Sequence, residues 1–126
     1  MEEDRLTGII IASAIIVHKA LGPGLLESAY RSALAHDLKS KGMRLEVEKT
    51  LPLVYGGIRT KKGYRLDLFV DNRIVVEAKA AKGIQPIDVS QMQTYLTLTE
   101  APVGLIINFN VRWLKDGLKR VINPRR

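Results

Sequence analysis

The stretch Tyr64–Lys79, Y-R-L-D-L-F-V-D-N-R-I-V-V-E-A-K, constrains the fold of this chain more than any other. Two apolar, β-prone runs flank Asp71-Asn72, residue types that reverse a chain, so the stretch reads as a hairpin of Tyr64–Val70 and Ile74–Ala80. Asp67, Glu77 and Lys79 interrupt runs otherwise suited to a core. Buried carboxylates and ammonium groups cost several kcal/mol unless they pair with each other or with a metal. Glu77 and Lys79 are two apart on a strand and share a face. A two-residue turn at Asp71-Asn72 would set Asp67 opposite Val76 and send the two acids to opposite faces. A three-residue turn that includes Arg73, or a bulge, would set Asp67 opposite Glu77. One of these last two is expected.

The hairpin needs partners. Residues 4–21 read as a helix capped by Asp4 or Thr7, with Leu6, Ile9, Ile10, Ile16, Val17 and Ala20 near one face. Ile11, Ala14 and Ile15 widen that face, and His18 near the end reads as a cap or surface residue rather than a ligand. Gly22-Pro23-Gly24 stops the helix. A second helix is expected over 25–41, burying Leu25, Leu26, Ala29, Ala33, Leu34 and Leu38 and ending at Gly42. Arg44–Val54 alternates as a strand, and Gly56-Gly57 and Gly63 mark turns around Arg59, Lys61 and Lys62. Asp88–Glu100 has helical spacing at Val89, Met92, Tyr95, Leu96 and Thr99, with Pro86 near its start and Pro102 ending it. Val103–Phe109 is a continuous apolar run, a strand buried on both faces. The tail from Arg112 reads as a short amphipathic element or an edge strand. The order α-α-β-β-β-α-β predicts an α/β fold with a central mixed sheet flanked by helices.

At 126 residues the chain is expected to form one domain, 1–126. Twenty Lys and Arg against thirteen Asp and Glu leave a formal charge of +7, which favours polyanionic partners, nucleic acid first. The absence of cysteine excludes disulfides, thiolate metal sites and a cysteine nucleophile, and suits a cytoplasmic protein. The apolar run Gly8–Val17 is shorter than the roughly 20 residues that span a bilayer. The acidic Glu2, Glu3 and Asp4 before it are unlike a secretory signal. No membrane association is expected.

If Asp67 and Glu77 converge, two carboxylates at ligand distance suit Mg²⁺ or Mn²⁺, hard ions that prefer oxygen. Such an ion polarises a phosphate and lowers the pKa of a bound water, with Lys79 placed to stabilise developing negative charge. Asp67 followed by Glu77-Ala78-Lys79 resembles the PD-(D/E)XK nuclease superfamily, and the element order resembles its restriction-endonuclease-like core with one extra N-terminal helix. Gly24-Leu25-Leu26-Glu27-Ser28-Ala29-Tyr30 is similar to the G-x-x-E-x-x-Y signature of a small family within it. V-H-K-A-L-G-P-G-L-L-E-S-A-Y and the later G-L-I-I-N-F also resemble that family, from about Ile9 to Val121. The resemblance implies metal binding by Asp67, Glu77, the Ala78 carbonyl and Glu27, with Lys79 as the catalytic lysine. Gln91-x-x-x-Tyr95 is similar to a motif that lines the active site of RecB-like nucleases. Position 66 is Leu where the superfamily name has Pro. Read without the resemblance, Glu27 favours the helix dipole and Tyr95 is a core aromatic with a bonded hydroxyl.

The expected activity is a metal-dependent nuclease acting on DNA rather than RNA, with Arg59, Lys61, Lys62 and Lys82 available to the backbone. A nuclease-fold module that binds nucleic acid without turnover is the alternative. A third is a protein whose acids bind metal for stability or assembly, the apolar first helix making a homodimer possible.

Overall fold

The structure, a computed structural model, describes residues 2–61 and 63–125. Glu2–Leu21 forms the first helix, α1, with three acids in its first turn and His18 and Lys19 in its last, both favourable with the helix dipole. Its buried residues are Leu6, Thr7, Ile10, Ser13, Ala14, Val17 and His18. Ile16 and Ala20, expected on that face, are exposed. Aliphatics surround this helix almost evenly, so packing rather than sequence chooses the face.

Gly22 and Gly24, at φ 70° and 100°, turn the chain out of α1. The second helix, α2, is Glu27–Ser40 and buries Tyr30, Leu34, Ala35 and Leu38. Leu25 and Leu26 stay outside it and exposed, correcting the expected start, because Gly24 is left-handed and Leu26 is extended at ψ 149°. Chain reversal here uses two residues that the apolar pattern assigns to the core.

The strands are β1 (Leu45–Leu51), β2 (Val54–Tyr55), β3 (Ile58–Arg59), β4 (Tyr64–Val70) and β5 (Ile74–Lys79), followed by helix α3 (Pro86–Thr99) and strands β6 (Val103–Asn108) and β7 (Leu118–Ile122). Five of them form one sheet in the order β1-β4-β5-β6-β7, while β2 and β3 pair as a separate ribbon. Among the described residues only β5 and β6 pair in parallel, and α3 is the crossover between them. The tail is thus an edge strand, antiparallel to β6.

Pro86 opens α3, two residues before the expected start, behind a capping box in which the Gln85 N–H donates to the Asp88 carboxylate at 2.8 Å. Glu100, left-handed at φ 61°, ends it before Pro102 is reached.

Helices cover both faces of the sheet. Leu6, Ile10, Tyr30 and Leu34 pack with Leu68, Val76, Leu105 and Phe109 on one side. Met92, Tyr95 and Leu96 pack with Phe69, Val75 and Ile106 on the other. Gly104 of β6 makes room on the second side, since a Cβ there would lie 2.3 Å from the Met92 sulfur.

Candidate active site

The turn between β4 and β5 decides which face each acid takes. The Arg73 N–H donates to the Val70 carbonyl at 2.9 Å across Asp71 and Asn72, both left-handed at φ 52° and 53°. Arg73 is then the extra residue, so Val70 pairs with Ile74 and Leu68 with Val76. Continuing that register sets Asp67 opposite Glu77, as a three-residue connection requires.

Past Leu68 and Val76 side chains replace the ladder. The Asp67 N–H donates to Glu77 Oε2 at 2.7 Å, and the Ala78 N–H donates to Asp67 Oδ2 at 2.9 Å. Each carboxylate is therefore fixed by the other residue's strand, and both are buried, 2% and 7% exposed. Alternation on β4 also slips here: Leu66 and Phe69 join the α3-side cluster, Leu68 and Val70 the α1/α2-side cluster. Across on β1, Glu48 stands where Asp67 would pair and is left-handed at φ 53°, a conformation disfavoured for a residue with a Cβ. The distortion turns the Asp67 end of β4 toward α2.

Glu27 opens α2 at that end. Its position depends on Tyr30, whose hydroxyl donates to the Gly22 carbonyl at 2.5 Å and accepts the Leu25 N–H at 3.0 Å. The Tyr30 ring is stacked on Phe109, 4.5 Å between centroids. In the G-x-x-E-x-x-Y stretch, the glycine supplies the left-handed turn and the tyrosine pins the loop, which leaves the acid at the helix start. Four residues on, Arg31 lies 2.6 Å from Glu48 and 3.7 Å from Asp67 Oδ1. Arg65 approaches the same two acids at 3.7 and 4.0 Å.

Charge crowding shifts the acids. Burial pushes the Glu77 carboxyl up to about 8, with Asp67 adding to the effect and the Asp67 N–H and Lys79 opposing it. Glu27 is raised too, by burial first and then Asp67, against Lys79, Arg31 and Arg65. Tyr95 is pushed up to about 12 by burial and by Glu77 and Asp67, while a hydrogen bond with Gln91 pulls the other way. Tyr95 therefore keeps its proton beside the acids. Lys79 Nζ is 3.7 Å from Asp88 Oδ1 at the start of α3.

A buried carboxyl that prefers to stay protonated beside a second carboxylate calls for added positive charge, and the donors present are hard oxygens. That set fits a divalent cation such as Mg²⁺, which typically takes one or two carboxylates and keeps several waters. Among the described residues no three His, Asp or Glu side chains gather into a ready metal cage; Asp67 and Glu77 are the two carboxylates that the hairpin brings face to face.

The sequence picks out Glu27, Asp67, Glu77, Lys79, Gln91 and Tyr95, and electrostatic or hydrogen-bonding contacts link all six. Arg59 and Lys61 are exposed on and after the separate β2–β3 ribbon, and Lys82 is exposed on the loop after β5. Lys62 lies outside the described residues. His18 corrects an expectation: it is buried, and its Nε2 lies 2.7 Å from the Val111 carbonyl oxygen. Sequence reasoning missed Arg31, Glu48, Arg65 and Asp88. Of these, Arg31 carried a local signal, one helical turn from Glu27, and Arg65 another, two residues before Asp67 on the same strand. It also missed Asn108, whose side chain accepts the Ala81 N–H at 3.1 Å and donates to the Ala81 carbonyl at 2.9 Å, fixing the chain just past Lys79.

No curated protein matches the chain. The crystal structure of SSO0001 is similar, with a TM-score of 0.57 and 26% sequence identity over 78% of this chain and 50% of that one. The chain thus spans about half the length of that protein, and the likeness is consistent with a restriction-endonuclease-like fold. A family model described as the PD-(D/E)XK nuclease superfamily, whose nucleases generally use divalent metals, matches residues 4–121. Carried by nearly its whole length, this chain belongs to the PD-(D/E)XK nuclease superfamily.

Proposed function

We propose that this protein is a divalent-metal-dependent nuclease that hydrolyses phosphodiester bonds, in DNA rather than RNA, and that it falls in the G-x-x-E-x-x-Y branch of its superfamily. The observation that carries the reading is the interlocked pair: Asp67 and Glu77 face each other, the Glu77 carboxylate held by the Asp67 N–H and the Asp67 carboxylate by the Ala78 N–H. Asp67, Glu77 and the Ala78 carbonyl would hold Mg²⁺ or Mn²⁺, with Glu27 reaching it through water. The ion, when bound, supplies Lewis-acid polarisation of the phosphate and a more acidic water. Glu77 must give up its proton to become a ligand, so metal affinity rises with pH toward 8. Lys79 leaves Asp88 to meet the charge that develops on the phosphate, and Tyr95 stays neutral as a hydrogen-bond donor. The protein acts as one domain over 1–126, in the cytoplasm, alone or as a homodimer. Among the described residues no helix is long and apolar enough to cross a membrane.

The test incubates the protein and its Lys79→Ala variant with linear, circular and single-stranded DNA and with RNA, in Mg²⁺, Mn²⁺ or EDTA. Cleavage in metal that falls at least about a hundredfold in the variant supports the reading. RNA cleaved in preference to DNA would reverse the substrate assignment. One observation favours the alternative of a binding module without turnover: the Arg31 guanidinium already faces Asp67 at 3.7 Å. Salt-sensitive binding with no cleavage in any metal would select it.

A further inference from the structure

Asn108 pairs with Lys79 at the end of the parallel β5–β6 ladder, and the Phe109 N–H donates to the Lys79 carbonyl at 2.9 Å. The chain beyond Phe109 therefore leaves the sheet at the edge where Lys79 sits. There it meets the end of α1, where His18 Nε2 lies 2.7 Å from the Val111 carbonyl oxygen. Between them lies an open cavity of about 440 Å³ lined by Ile15, Lys19, Gly22, Arg112, Trp113 and Lys115 among others. Gly22 is the residue whose carbonyl Tyr30 holds, five positions before Glu27. The cavity and the acid cluster are thus joined by one short loop and one sheet edge.

Its chemistry differs from that of the acids. Trp113 is the sole tryptophan of the chain and is 58% exposed, a large apolar surface left in water. The Arg112 guanidinium lies over its ring, 5.2 Å from the centroid. Lys19, Arg112 and Lys115 line the same cavity, and none of them forms an ion pair with a described residue. An aromatic face ringed by unpaired cations suits a base on the ring with phosphates on the cations. An apolar protein partner would meet three uncompensated charges instead.

We propose that this cavity binds an unpaired nucleotide of single-stranded nucleic acid, its base stacked on Trp113 and its flanking phosphates on Lys19, Arg112 and Lys115. The inference rests on the nuclease reading and deepens it: the strand entering the acid cluster is unpaired on the Trp113 side. A base inside a duplex has both faces covered and cannot reach the ring.

Binding measured without turnover tests this, using the full chain in EDTA. Trp113 fluorescence is followed while oligothymidylate of about ten nucleotides is added, and again with an abasic strand of equal length. Quenching by oligothymidylate and weak or no quenching by the abasic strand is expected. By anisotropy of a fluorescein-labelled strand, which needs no tryptophan, Trp113→Ala should weaken oligothymidylate binding about tenfold and Trp113→Phe much less. Lys19→Ala and Lys115→Ala should each lower the salt dependence of binding by about 0.7 in log–log slope. Equal quenching by both strands, or unchanged affinity in Trp113→Ala, overturns the proposal. So does quenching by duplex as strong as by single strand. Cleavage in metal is scored separately on the same preparations. Its absence alongside base-dependent quenching would remove the nuclease reading and leave the single-strand site standing. Cleavage with no quenching would do the reverse.

Discussion

Glu77 holds its proton up to about pH 8 because burial and Asp67 both oppose its charge, so the metal-free folded protein binds a proton that the unfolded chain releases near 4.5. The folded pKa is the higher one, so this contribution to stability is complete below about 4.5. It is lost as pH rises through 8 and stays lost above. The loss is on the order of a few kcal/mol. Urea denaturation of the EDTA-treated protein across that window should show it, and Glu77→Gln should flatten the curve to the smaller slope left by Glu27. A stability that rises with pH in the parent protein would contradict the assignment. Added Mg²⁺ competes with that proton, so metal should stabilise the parent protein more at pH 8 than at pH 6, and Glu77→Gln far less at either.

The connection between β4 and β5 sets the site at the level of an element. Two consecutive left-handed residues and one extra residue create the register that faces Asp67 with Glu77. Asn tolerates that conformation and Ala does not, so Asn72→Ala should cost about 1 kcal/mol while Asn72→Gly holds or gains. Chemical denaturation decides it. Packing of α3 makes a second demand. Gly104→Ala would drive a methyl into Met92, and even with the flexible thioether yielding it should cost about 1–3 kcal/mol. Since Tyr95 rides on the same helix, ultraviolet titration of its phenol should shift in that variant. These elements also mark what the sequence could tell. Strand limits at Tyr64–Val70 were legible because apolar residues stop at Asp71 and restart at Ile74. The acids were legible because they break those runs. The register was open between two outcomes, since turn chemistry favours reversal at Asp71-Asn72 without counting Arg73. Glu48 and Asp88 were hidden because their partners, Arg31, Arg65 and Lys79, come from other strands or helices, and no local spacing reports such a pairing. The face of α1 was illegible for the opposite reason, with apolar residues on too many sides.

At the scale of the molecule, α1 is joined to parts of the chain far from it in sequence. Asp4 pairs with Arg120 at 2.9 Å, His18 meets Val111, and Leu6 and Ile10 share a cluster with Leu105, Phe109 and Leu114. The parallel pairing of β5 with β6 likewise joins strands separated by the whole of α3. A chain made from its N-terminus exposes the apolar side of α1 long before the residues that cover it exist. Contacts of such separation also slow folding. A chain ending at Glu100 should therefore show no cooperative denaturation, although it contains Glu27, Asp67, Glu77 and Lys79. Restoring residues 101–125 should bring the transition back. The His18–Val111 contact thus has a consequence in time: α1 is fully covered only after residues 105–114 have been made, and until then its apolar side is a surface for chaperones to hold.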